Sequence, residues 1–375
     1  MIEPSSLHVS ALWPHLVAFH ATMLLPLVVG LPPIVAIMES VYVMTEREIW
    51  RQIARFWGRL FGIALLAWAV GSIVLVVLHG VDPGRSVRYL HGLPELALTL
   101  PVMALVFAGG VALWRRFGDW LGVRRLRHLL VTWLWMALST LPVLGIALVY
   151  GLMDNPAGAC LDPGNLQVRI CDLPAALRNP AAQARFVHLL GASYLTGATL
   201  VLSVSAWYLA HRRNVQIARR SMTVAASFGL AAALSLAVLG FRGDVPLSFW
   251  SFRAMALLGA WAIALFGVAF WRASRRQLDR RGFLRLAALS LPVPWAAGAL
   301  GWLASEAGRG PWLVNGLLPV TATQAGAWET AIAAVACAAV AGLFVAGAIL
   351  SLGLVRLGPE GMKMWPADAD AARKY

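Results

Sequence analysis

The sequence predicts an all-α integral membrane protein of nine transmembrane helices, and three observations predict it. Its 375 residues are 60% hydrophobic and 13% charged, with a mean hydropathy of +0.72, far outside the range of water-soluble domains. Apolar runs long enough to cross roughly 30 Å of hydrocarbon lie at 16–43, 57–80, 93–114, 128–151, 185–210, 221–241, 251–271, 285–304 and 328–355. Most of the 31 Lys and Arg residues fall after the first, third, fifth and seventh runs and in the tail. Short loops rich in Lys and Arg stay in the cytoplasm, so the N-terminus is placed outside and the C-terminus inside.

Each run follows from its residues. The first holds Pro26, Pro32 and Pro33 within an apolar stretch too long for a cleaved signal, and residues 1–14 lack a basic leader. The second follows Arg47, Arg51 and Arg55, and the third opens after Gly92-Leu93-Pro94. Arg115, Arg116, Arg124, Arg125 and Arg127 anchor the third and fourth on the inner side. The longest outward loop, 152–184, carries Pro156, Pro163, Pro174 and Pro180 together with Cys160 and Cys171. A disulfide is permitted on that side, and reduced thiols are equally compatible with the spacing. The cluster Arg272, Arg275, Arg276, Arg280 and Arg281 sets the turn between the seventh and eighth runs. Cys337 in the Ala-rich ninth reads as a small packing residue, and 356–375 as a cytoplasmic tail. The whole chain, 1–375, reads as a single transmembrane domain. Its net charge of +14 reports topology and requires no nucleic acid.

No phosphate-cradling glycine loop, CxxC pair or HExxH motif marks a soluble catalytic unit. Chemistry must therefore come from polar residues within the membrane, where each needs a partner and an explanation. The candidates are His20, Glu39, His188, Met255, Glu306 and Glu329, with Arg253 and Arg309 near the outer surface. All but Glu39 and Glu329 fall toward the outer face. Haem explains that grouping: a low-spin b-type iron takes an imidazole and a thioether from facing helices, and arginines near the surface balance its propionates. His188 and Met255 supply such a pair, and Arg253 stands two residues from Met255. The same residues also fit a haem-free scaffold or transporter, with His188 and Glu306 as polar links between helices.

Several strings carry a resemblance. They are Ala36-Ile37-Met38-Glu39-Ser40-Val41-Tyr42-Val43, Arg55-Phe56-Trp57-Gly58-Arg59-Leu60-Phe61-Gly62, Arg185-Phe186-Val187-His188, Ser205-Ala206-Trp207-Tyr208-Leu209, Ala225-Ala226-Ser227-Phe228-Gly229, Phe252-Arg253-Ala254-Met255 and Pro292-Val293-Pro294-Trp295. Together, from about residue 16 to Gly358, they resemble subunit I of the cytochrome bd quinol oxidases. The resemblance implies two four-helix bundles plus one helix, and low-spin haem b on His188 and Met255. Gly301-Trp302 through Glu306, Arg309 and Trp312 is similar to the family motif GWxxxExGRQPW, with Gly310 in place of Gln. It implies a second, high-spin haem b on Glu306, with Trp302 and Arg309 beside it.

Three positions depart from the family. Its first-helix histidine precedes the proline by five residues; Ala21 holds that place here and His20 is one residue off. One residue turns a helical side chain by about 100°, although prolines locally rewind a helix, so a third haem of b or d type on His20 stays open. Leu98 and Val106 stand where the family has helix-three carboxylates, leaving Glu95 alone and putting the usual proton route in doubt. Only about Phe241 to Phe249 replaces the large quinol-site loop, so direct quinol oxidation by this chain is not expected.

The expectation is a multi-pass subunit of a bd-type oxidase in a bacterial or archaeal cell membrane, passing electrons between haems near the outer face. Its partners would be membrane subunits: a second large subunit or a complete subunit I copy, with small single-helix subunits. Either this chain reduces oxygen with electrons received from elsewhere, or it is a divergent, non-catalytic copy paired with a complete one.

Overall fold

A computed structural model describes residues 12–81, 109, 124–162, 167–237, 245–320 and 327–361. Among them, eight helical spans are long and apolar enough to cross a membrane. They coincide with eight of the nine expected runs. The remaining run, 93–114, with Glu95, Leu98 and Val106, lies outside the described residues apart from Gly109, as do 362–375 of the tail.

Helices dominate because a bilayer offers backbone amides no water, so each span must close its own hydrogen bonds. Three spans expected to be continuous are broken. The first comprises α1 (Leu12–Met23) and α2 (Leu25–Thr45), the fourth α4 (Arg124–Leu138) and α5 (Leu141–Asp154), and the eighth α10 (Arg281–Leu289) and α11 (Val293–Arg309). Pro26, Pro142 and Pro292 follow or occupy the breaks, each lacking the N–H that would continue the ladder. The remaining spans are α3 (Glu48–Val81), α7 (Pro180–Ala210), α8 (Val215–Ala237), α9 (Pro246–Ser274) and α12 (Ala327–Gly361).

The segment expected as an outward loop is shorter than 152–184, because α5 runs on to Asp154 and α7 begins at Pro180. Strands β1 (Ala159–Asp162) and β2 (Gln167–Ile170) form an antiparallel hairpin tied by a Cys160–Cys171 disulfide with Cα atoms 6.0 Å apart. Short helix α6 (Leu173–Leu177) follows, capped by the Asp172 carboxylate, which accepts from Ala175 N at 3.0 Å. The Asn179 side chain accepts from Ala181 N at 3.0 Å, satisfying one of the free amides at the start of α7. A second hairpin, β3 (Trp312–Val314) with β4 (Leu318–Pro319), packs with Val168, Met153 and Ala18 at the same end of the bundle.

Helix α7 is the hub. It packs on α2, α5, α8 and α10, while α9 bridges α8 and α11, and α12 lies against α3 and α1. At its crossing with α2 the backbones touch: a Cβ on Gly30 would collide with the Ser193 carbonyl, and one on Gly197 with Gly30 itself. Such close approach lets dispersion hold helices that gain little from burying apolar surface in lipid. Polar links add to it. Trp57 Nε1 donates to Ser221 Oγ at 3.0 Å, Ser203 Oγ to the Ala287 carbonyl at 2.7 Å, and Tyr208 Oη to the Val355 carbonyl at 2.6 Å.

Candidate functional site

The described residues line an open cavity of about 320 Å³ at the disulfide end of the bundle, where α1, α2, α5, α7, α9 and α11 converge. His188 enters from α7, about two turns past the Asn179 cap, and Met255 from α9. Both line this one cavity. The walls between them are mostly small or apolar: Ala21, Leu25, Ala192, Phe252, Gly298 and Ala304. Gly301 matters for a specific reason, since a Cβ there would stand 2.7 Å from the Met255 sulfur. The absence of that carbon gives the thioether its seat.

Trp302 lines the same cavity, with its ring edge-on to His15 at 5.6 Å. Its indole Nε1 is buried and has no hydrogen-bond partner among the described residues. A buried donor left unmade costs about 1–3 kcal/mol, so the site is built as though an acceptor were to be supplied. Apolar walls, an imidazole, a thioether and a spare donor suit a tetrapyrrole with polar side groups. The His188 and Met255 pair therefore passes the test of fit for haem.

Charged residues close the outer rim. Asp154, the last residue of α5, accepts from Arg309 Nε at 3.1 Å and also from Arg185 Nη2. Arg185 Nη2 donates as well to Ser305 Oγ at 2.7 Å. Both guanidiniums lie over the Tyr150 ring, 5.6 and 5.9 Å from its centroid, a favourable arrangement for a cation over an aromatic face.

The other expected site residues lie elsewhere. Glu306 does not line the cavity: Oε1 is 2.8 Å from Arg309 Nη1, and Oε2 is 3.6 Å from His15 Nε2. His20 is buried and turned toward α3, its Nε2 3.2 Å from the accepting Trp68 carbonyl and 3.4 Å from Ser72 Oγ. Gly71 clears the space its ring occupies. Arg253 is exposed and stacks on Phe249 at 3.7 Å, away from the cavity lining. As arranged, Glu306 faces Arg309 and His15, and His20 Nε2 faces Trp68 and Ser72; no step is assigned to an iron at either. Among Glu306, His20 and Arg253, none joins His188 and Met255 at the cavity; Trp302 does.

Tyr150, Asp154 and Arg185, which line the cavity, and His15, which faces Trp302 and Glu306, are residues that sequence reasoning passed over. Tyr150 and Asp154, four apart at the end of an apolar run, share a helix face. Arg185 and His188, three apart, do so too. That spacing was the available signal.

Comparison with known proteins matches residues 15–244 and 241–359 to the family described as cytochrome bd terminal oxidase subunit I. The chain is 29% identical over 314 residues to cytochrome bd-II ubiquinol oxidase subunit 1 of Escherichia coli, covering 80% of this chain but only 61% of that one. To cytochrome bd ubiquinol oxidase subunit 1 of Bacillus subtilis it is 24% identical over 389 residues, covering 79% and 81%. The solved bd oxidase of Geobacillus thermodenitrificans shares the fold, with a TM-score of 0.76 at 17% identity over 94% of this chain and 99% of that one. With the family match spanning nearly every described helix, this multi-pass membrane chain belongs to the cytochrome bd terminal oxidase subunit I family.

Proposed function

We propose that this chain is a haem-carrying subunit of a bd-type terminal oxidase in a bacterial cytoplasmic membrane, moving electrons through a low-spin haem b held by His188 and Met255. The observation that carries the proposal is the shared cavity: an imidazole and a thioether from different helices face one apolar space whose wall also offers an unused indole N–H. A haem held there supplies one-electron redox chemistry, and a His/Met ligand pair raises its reduction potential. The chain's own residues do the rest. His188 and Met255 fix the group between α7 and α9, while Gly298 and Gly301 make room for it. Arg185 and Trp302 offer donors.

Residues 238–245 alone join α8 to α9. Such a short connection supports receipt of electrons from a partner over quinol oxidation by this chain. The partners proposed are membrane subunits, either a second large subunit or a complete subunit I copy, with small single-helix subunits. For high-spin haem b at Glu306, and a further haem at His20, the reading rests on sequence resemblance alone. Haem extraction from the purified chain, with identification of its type, tests the proposal. At least one haem b per chain is expected, and a colourless, folded protein would return the chain to a scaffold role.

A further inference from the structure

Arg185 and Arg309 come from helices α7 and α11, and like charges brought together repel. What holds them together is the end of α5. The two oxygens of Asp154 are divided between them, Oδ1 to Arg309 and Oδ2 to Arg185. One turn earlier, Tyr150 lies beneath both guanidiniums. The helix end is itself pinned: Asn315 N donates to the Met153 carbonyl at 2.9 Å, and Asn315 Nδ2 to the Asp154 carbonyl at 3.3 Å. Glu306 takes a further bond from Arg309, and His15 faces Glu306.

The donors are not used up. A guanidinium has five N–H groups, and the bonds from Arg185 to Asp154 and Ser305 both leave from Nη2. Tyr150, Asp154 and Arg185 all line the cavity that holds His188 and Met255, whereas Arg309 is buried beside them. A carboxylate that binds two arginines beside an apolar cavity, while leaving the one that lines it, Arg185, donors to spare, is placed to prepare an anion site.

We propose that Asp154 is the positioning residue of that site: with Arg309 held on its other oxygen, it fixes Arg185 at the rim, where Arg185 holds a carboxylate group of a haem bound in the cavity. This rests on the haem reading above. Asp154 acts through Arg185 and does not itself touch the group.

The test measures haem transfer from the full-length purified chain to excess apomyoglobin, with the haem absorption band followed in every variant. Loss of a charge-assisted hydrogen bond costs about tenfold or more in an equilibrium constant, so Asp154→Asn should release haem about that much faster while keeping the parent's band. Asp154→Glu should restore retention to roughly twofold of the parent, and adding Asp154→Asn to Arg185→Gln, Arg309→Gln should change the rate by less than roughly twofold, because coupled residues are not additive. An Asp154→Asn chain that releases haem at the parental rate overturns the proposal. So does an equal acceleration in the arginine-free background. If Asp154→Asn does not accumulate, Asp154→Glu carries the test, and release as fast as from Arg185→Gln, Arg309→Gln overturns it. A parent without a haem band overturns the haem reading itself; a parent with the band but no Asp154 effect overturns this inference alone.

Discussion

At the end of the bundle away from the disulfide, Glu39 is fully buried, with His128 Nδ1 2.5 Å from Oε1 and Thr132 Oγ1 donating to Oε2 at 2.6 Å. At the disulfide end, Asp154 and Glu306 meet two arginines and a histidine beside a cavity of about 320 Å³. Both ends bury carboxylates in a membrane protein, and both satisfy them. The difference lies in what is left over. Around Glu39, α2 and α4 are clasped face to face and Glu39 lines no part of the cavity. Around Asp154 there is space, an indole N–H with no partner among the described residues, and Arg185 donors beyond those in use. Burial of a carboxylate alone thus marks a helix contact, whereas burial beside a cavity marks a place built for a ligand.

That contrast can be broken by variants, beginning with the largest effect. Glu39→Ala should destabilise the fold by about 3–5 kcal/mol, because the partners of a buried polar pair are left stranded. Denaturation in detergent measures this, and any haem band in the protein that remains folded should be unchanged. A change of band would mean that the two ends are not independent. Next, Cys160→Ser with Cys171→Ser should cost about 2–4 kcal/mol by releasing the outer hairpin, read from the same denaturation curves with and without reductant.

Trp302→Phe should do the reverse of Glu39→Ala. It removes a buried donor that no described residue uses, so the protein without haem should be at least as stable as the parent, with up to about 1–3 kcal/mol recovered. Haem affinity should fall by about 1 kcal/mol for the lost hydrogen bond, measured by haem titration. Arg253→Leu should be the smallest change. Its guanidinium stacks on Phe249 at an exposed position, an interaction of about 0.5–1 kcal/mol, and haem affinity should not move.

How much of this was legible in the sequence follows from how local each feature is. The spans could be read because a membrane helix announces itself over twenty consecutive residues. Their breaks at Pro26, Pro142 and Pro292 were half legible, since a proline ends a backbone ladder but does not say whether a span kinks or splits. His188 and Met255 stand 67 positions apart, and their meeting followed from family resemblance together with their shared outer depth. The Asp154 cluster was not legible. Its members come from α5, α7 and α11, and which carboxylate meets which arginine depends on packing between helices, as at Gly151, where a missing side chain lets α5 approach α7 at Ala182. His20 illustrates the converse: its rotation by one residue was visible, but its destination on Trp68 and Ser72 depends on where α3 lies.

The central claim is that the cavity between α7 and α9 holds a haem on His188 and Met255. It is tested most directly by the reduced-minus-oxidised spectrum of the purified chain beside His188→Ala and Met255→Leu. A low-spin b-type band in the parent that is lost in His188→Ala and shifted or lost in Met255→Leu is the predicted result. A parental band that survives both substitutions unchanged would contradict it.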